Sequence, residues 1–287
     1  MSKFDRSIAL TAILTCLSAA TVADDRNQED IYIEFFDLER VPPSPGVLPV
    51  LNECFIDQST VACESLIRLA EDGNEAARLF VYWHSHVRDV IDALGGFSAF
   101  RAVIENHDAR TAFEELVILA DEGYGPAQAF VGVTFMSGYE ARYRINADPA
   151  RGIAYLQRAT DQNSMLAPLH LGHAFDQGLG VDLSHEEATR MFELALARGQ
   201  GRAGILLAQR AIDGEVVAQD IDYAVEQLVR AAELDYGPAM QVLCEGEAFA
   251  VDIPIHPLLD EDEAAYWCEQ LQAHRELVES ENLNEAP

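Results

Sequence analysis

The sequence predicts an all-α fold, a solenoid of antiparallel helical hairpins, on three observations. Small and apolar residues recur in register at a step of 36 residues. Helix N-cap residues recur at the same step, and glycines close the segments between them.

The columns are read directly off the chain. Gly123, Asn163, Gly199 and Asp235 stand 40, 36 and 36 residues apart. Ala127, Ala167, Ala203 and Ala239 keep those steps, as do Val131, Leu171, Leu207 and Leu243. Gly132, Gly172, Ala208 and Cys244 come next, then Phe135, Phe175 and Ala211, and Gly138, Gly178 and Gly214 close the segment. Gly73, Ala77 and Val81 match Gly123, Ala127 and Val131 at a step of 50, so that unit carries an insertion of 14. It also has Tyr82 where the later units have Gly132 or Gly172.

Each unit reads as two helices. In the first, Ala167, Leu171, Ala174 and Phe175 fall on one face of a helix of about 3.6 residues per turn. Gly178 is the residue expected just past its end. The second helix starts at Asp108, Asp148, Ser184, Asp220 or Asp260, residues whose side-chain oxygens accept an orphaned backbone N–H. Pro149 follows Asp148 at the first helical position, where its missing N–H costs nothing. Ser184 with Glu187, and Asp260 with Glu263, have the spacing of capping boxes. Ala112, Gly152, Ala188, Ala224 and Ala264 follow, then Leu116, Leu156, Phe192 and Leu228. Small residues facing small ones let two helices approach, and the large ones fill the seam.

These residues resemble a known family. The run from Ala167 to Val181, with the Leu171-Gly172 pair, Gly178 and Gly180, continues into Glu187-Ala188 and Ala195 to Gly199. It is similar to a Sel-one-like repeat, a cousin of the tetratricopeptide repeats. The resemblance covers about residues 48 to 275, about five to six hairpins, and implies a right-handed superhelix.

The ends read differently. Residues 1–23 have the Lys3 and Arg6 n-region, a short apolar run and a small-residue site at Thr21-Val22-Ala23. That is the pattern of a cleavable signal peptide and implies a periplasmic or secreted bacterial protein. Cys16 offers a lipoprotein alternative, for which Thr15 before it is a poor fit. Residues 24–47 form an acidic, proline-rich arm with Pro42, Pro43 and Pro45. Residues 276–287 read as a disordered acidic tail. No stretch after signal removal is long and apolar enough to span a membrane.

Four cysteines remain after cleavage, and in an exported chain they read as two disulfides with three possible connectivities. The repeat map chooses among them. Cys54 falls late in the first helix of the 48–73 hairpin and Cys63 early in its second. Cys244 occupies the small-residue column of the last first helix, and Cys268 the Phe192–Leu228 column of the last second helix. The predicted pairs are therefore Cys54–Cys63 and Cys244–Cys268, one staple at each fraying end of the array.

Charge and composition exclude several functions. The chain has 49 acidic residues against 19 basic and a net charge of -30, the wrong sign for nucleic acid or anionic lipid. Lys3 is its single lysine, so the predicted mature chain cannot perform Schiff-base, Ser-Lys or P-loop chemistry. No Gly-x-Ser-x-Gly, His-Glu-x-x-His or Cys-x-x-Cys occurs, and no catalytic constellation or cofactor motif is assembled.

His170, His173 and Asp176 have a spacing that could collect a metal, but His170 shares the column of Phe80, Phe130, Leu206 and Val242 and reads as packed. His84 and His86 point to different helix faces. Asp260 to Glu263 suit a helix first turn without a cation. No metal or other cofactor is expected. The positions left free by packing are Val133, His173, Gln209 and Glu245 in one column and Ser137, Gln177 and Asp213 in another. Of these, His173, Gln177, Gln209 and Asp213 are the expected partner-binding groove. The resemblance implies a non-enzymatic scaffold that binds a protein or peptide. Its alternatives are a structural part of envelope or exopolysaccharide machinery and a cysteine-rich repeat enzyme of β-lactamase type. The chain holds no Ser-x-x-Lys or Lys-Thr-Gly for the latter.

Overall fold

The computed structural model describes residues 47–55, 59–82, 109–138, 145–213, 220–245, 247–248, 251–252 and 261–283. The expected signal peptide, Cys16, nearly all of the arm, His84, His86, Asp108, Gly214 and Asp260 lie outside them. The chain divides into two units, 1–162 with 281–287, and 163–280.

The first unit holds α1 (Val47–Phe55), α2 (Thr60–Glu71), a helical segment at 75–82, α3 (Ala109–Asp121), α4 (Gly125–Ser137) and α5 (Pro149–Asp161). Its core runs through Leu66, Leu116, Leu119, Phe130 and Val131. Phe135 meets Phe113 edge-on at 5.4 Å between ring centroids and stacks on Tyr155 at 6.1 Å. The second unit holds α6 (Leu166–Gln177), α7 (His185–Ala197), α8 (Gly201–Asp213), α9 (Ile221–Ala232), α10 (Gly237–Glu245) and, up to Ser280, α11 (Glu261–Leu283).

The N-cap column behaves as its chemistry demands. Asp148 accepts from the Arg151 N–H, Ser184 from Glu187 and Asp220 from Tyr223, at 3.1, 3.2 and 2.9 Å. The capping box at Ser184 closes on one side alone, because Glu187 turns its carboxylate to Arg190. The Ser184 N–H donates instead to the Phe175 carbonyl at 2.9 Å. The same bond recurs from Asp148 to Phe135 and from Asp220 to Ala211, so one backbone bond closes these three hairpins at equivalent columns.

Between hairpins the chain turns through a left-handed residue. Gly73, Gly123 and Gly199 have φ of 88°, 105° and 98°, and Asn163 and Asp235 occupy the same column at 65° and 62°. Asn and Asp are the non-glycine residues that tolerate this conformation best, which explains a column that mixes Gly, Asn and Asp. At Gly123, the Gly N–H returns to Ala120 and the Tyr124 N–H to Leu119, a Schellman closure. The residue before the turn also reaches back one hairpin. Gln162 donates to the Gly123 carbonyl at 2.9 Å in the first unit, and Arg198 to the Ser164 carbonyl at 2.7 Å in the second.

Within each hairpin the small-on-large columns set the spacing. A Cβ on Gly132 would fall 2.8 Å from Leu156 Cγ. At Gly172 it would overlap the ring of Phe192, which is buried to 1% exposure. The disulfides form as the map predicts, Cys54–Cys63 and Cys244–Cys268, each with a Cα separation of 4.7 Å. Cys244 and Cys268 stand in the columns where Gly172 meets Phe192, so a covalent bond fills the contact that glycine and phenylalanine fill elsewhere.

Two features differ from expectation. A two-residue antiparallel ladder, β1 (Glu247–Ala248) with β2 (Val251–Asp252), lies between α10 and α11, where the last unit lacks the closing glycine of the others. The helix α11 runs on to Leu283, past the 276 start expected for a disordered tail. No glycine or proline interrupts Glu261–Leu283, and Gln272 supports it by donating to Glu276 at 2.8 Å. Among the described residues, no helix is long and apolar enough to cross a membrane.

Candidate functional site

The four groove residues expected from the sequence lie on two first helices of the second unit, α6 and α8. Packing consumes Ala167, Leu171, Gly172 and Ala174 of α6, all buried, and leaves His170, His173, Asp176 and Gln177 on the remaining faces. His173 is half-buried, with its ring edge-on to Phe192 at 5.2 Å. Burial and the Arg202 charge, partly offset by Asp176, push its pKa down to about 4. Burial, His173 and Arg202 push His170 down to about 3. Both imidazoles are therefore neutral near pH 7. Gln177 is exposed at the end of α6.

On α8 the structure joins two of the expected residues directly. Gln209 Nε2 donates to Asp213 Oδ2 at 2.7 Å, which fixes the amide with its oxygen turned away from the carboxylate. Gln209 Oε1 is shielded from solvent and has no hydrogen-bond partner, alone in this among the buried side-chain polar atoms of the described residues. Asp213 is exposed. The pair therefore presents the Asp213 carboxylate to solvent, while the Gln209 amide oxygen stays covered.

Beside Gln209 sits a residue the sequence reading missed. Arg210 is 7% exposed, and its guanidinium reaches back across the preceding hairpin. It donates to Asp176 Oδ1 at 2.6 Å, to Thr189 Oγ1 at 3.2 Å and to the His185 carbonyl at 3.2 Å. Its central carbon lies 5.9 Å from the Phe192 ring centre. Asp176 also pairs with His185 Nδ1 at 2.8 Å. Burial works to raise the Asp176 pKa, but the hydrogen bonds from His185 and Arg210 and their charges outweigh it and hold the carboxyl below its ordinary value. The signal was present in the sequence: Arg210 shares a column with Thr134 and Ala174, where an isolated charge needs a partner.

The same network engages Asp176, one of the three residues whose spacing could collect a metal. The carboxylate is committed to Arg210 and His185, and the His173 ring to Phe192. Among the described residues, no three His, Cys, Asp or Glu side chains are grouped to hold a metal ion.

Antiparallel hairpins repeating at 36 residues, capped by Asp or Ser and turned through a left-handed column, define an α-helical repeat protein. Solved structures make the class more specific. The chain is similar to a Sel1 repeat protein from Oxalobacter formigenes, with a TM-score of 0.56 and 21% identity over 79% of this chain and 82% of that one. It is also similar to a protective antigen present in uropathogenic Escherichia coli strains displaying an SLR fold. There the TM-score is 0.52 and the identity 15%, over 92% of this chain and 53% of that one, so the chain spans about half of the antigen's length. The fold is thus that of the Sel1-like repeat solenoids. No family model matches the chain, and no curated protein matches it.

Proposed function

We propose that this chain is an exported, non-enzymatic adaptor that binds a protein or peptide segment along the exposed side of successive first helices. The helical-repeat scaffold suits protein interaction, since each unit spends its recurring positions on packing and leaves the intervening ones free. One observation supports the placement: Gln209 donates to Asp213, which holds an exposed carboxylate on α8, and Gln177 is exposed on α6. His173 and Gln177, on the preceding first helix, extend the same polar stretch. The two disulfides are consistent with an oxidising compartment outside the cytoplasm, which supports export to the periplasm.

Capture from a periplasmic extract tests this reading, with the oxidised wild-type chain beside a bait carrying Gln177→Ala, Gln209→Ala and Asp213→Arg. The adaptor reading expects a specific partner that survives high salt and is lost from the substituted bait. Equal recovery by both baits would move binding off this face. Turnover of a chromogenic β-lactam by the chain would overturn the non-enzymatic part.

A further inference from the structure

We propose that the Cys244–Cys268 disulfide is a reducible latch: a dithiol reductant opens it and releases α11 from α10 while α6 to α9 stay folded. The two disulfides of the chain lie in different surroundings. Cys54 and Cys63 are both 0% exposed, so a reductant meets them only when the first hairpin opens. Cys244 and Cys268 are each partly exposed as residues, so a reductant has less structure to open before it reaches their bond.

Among the described residues, a short set of contacts accompanies this bond on the helix it holds. Among its described side chains, Trp267 and Leu271 are the buried apolar ones, while Tyr266 next to them is 52% exposed. Among the described residues, Arg275 pairs with Glu245 of α10 at 3.6 Å at the surface, and His274 packs over Gly237. Against these, α11 carries seven carboxylates and one arginine in a chain of net charge -30. Self-repulsion therefore favours undocking once the covalent bond is gone. In α6/α7, by contrast, Gly172 lies directly against Phe192, and the backbone bond from Ser184 to Phe175 closes the hairpin without any disulfide.

The exchange balances without further reactants. A reductant thiolate attacks one sulfur to form a mixed disulfide and frees the other cysteine. The second reductant thiol then displaces the remaining cysteine. The protein gains two electrons and two protons as Cys244 and Cys268 thiols, and the reductant leaves as its own disulfide. Release also separates Arg275 from Glu245, which shares the column of His173 and Gln209. That last consequence rests on the proposed binding face; the latch itself does not.

The test titrates the oxidised full chain with dithiothreitol, alkylates free thiols, identifies the labelled peptides by mass, and follows amide exchange in parallel. Cys244 and Cys268 are expected to label at a reductant concentration that leaves Cys54 and Cys63 unlabelled. At that point exchange in α11 should rise at least tenfold and Trp267 fluorescence should shift to the red, with α6 to α9 unchanged. A Cys244→Ala, Cys268→Ala variant should show the same loosened α11 without reductant. Simultaneous labelling of Cys54, Cys63, Cys244 and Cys268 would overturn the latch. So would an α11 that keeps its protection after labelling, or a variant in which α6 to α9 lose theirs as well.

Discussion

Arg210 shows how one side chain holds a repeat array in register. Its guanidinium is removed from water and bound to Asp176, Thr189 and the His185 carbonyl, groups supplied by the hairpin before its own. Replacing it with methionine strands the Asp176 carboxylate against a surface it no longer matches. The expected loss is about 3 kcal/mol, at the low end of the range for broken buried pairs because Asp176 keeps some solvent. Adding Asp176→Asn should recover part of it, which denaturant melts of the two single and one double variant would measure. Gly172 makes the opposite kind of demand, for absence of a side chain. Gly172→Ala drives a methyl into Phe192 and should cost roughly 1–3 kcal/mol, read by the same melts. The histidines set a pH dependence with a definite sign. His170 and His173 titrate at about 3 and about 4 when folded, against about 6.5 in the unfolded chain. The folded state therefore binds fewer protons, so stability is full above the unfolded value and declines as pH falls from there toward 4. Asp176, held low when folded, adds a further decline at more acidic pH. A double His170→Leu, His173→Leu variant should flatten the upper part of that decline in melts run from pH 7 to pH 4.

At the scale of the element, the sequence was most readable where geometry leaves one solution. The Asp148, Ser184 and Asp220 column caps helices in the structure, and Asp220→Ala should cost about 1 kcal/mol in thermal melts. The column of Gly73, Gly123, Asn163, Gly199 and Asp235 was visible as a pattern, and its cause is the shared left-handed φ. Both disulfides followed from the repeat map, Cys244–Cys268 from its packing columns and Cys54–Cys63 from the two helices of the end hairpin. For Cys244–Cys268, whose loop spans 24 residues, loop-closure entropy predicts a contribution of roughly 3 kcal/mol. What escaped were features outside the repeat. The β1–β2 ladder has no counterpart in other units, and the extension of α11 to Leu283 follows from helix propensity in a segment whose acidity suggested a tail. The Arg210 network escaped for a different reason. Its members lie 21 to 34 residues from Arg210 in sequence, and column reading looks for likeness between units, whereas this contact depends on the places where units differ.

Over the whole molecule, the Sel1-like repeat fold and the two disulfides describe a scaffold whose individuality lies between its packing columns. The sequence pointed to four such positions. Two of them, Gln209 and Asp213, are bonded to each other, while His173 leans on the hairpin seam and Gln177 stays exposed. The acidic surface belongs to the same scale: a net charge of -30 attracts cationic partners at long range, an effect that salt screens within about 10 Å at 0.1 M. A contact held by the hydrogen-bonding groups of α8 should survive that screening, whereas nonspecific attraction should not.

The most direct test is an amide-exchange footprint of the captured partner on the oxidised chain at high salt. The account predicts added protection over 173–177 and 209–213, with α7 and α9 unchanged, and loss of that protection in the Gln177→Ala, Gln209→Ala, Asp213→Arg chain. Protection falling on α7 and α9 instead, or persisting in the substituted chain, would contradict it.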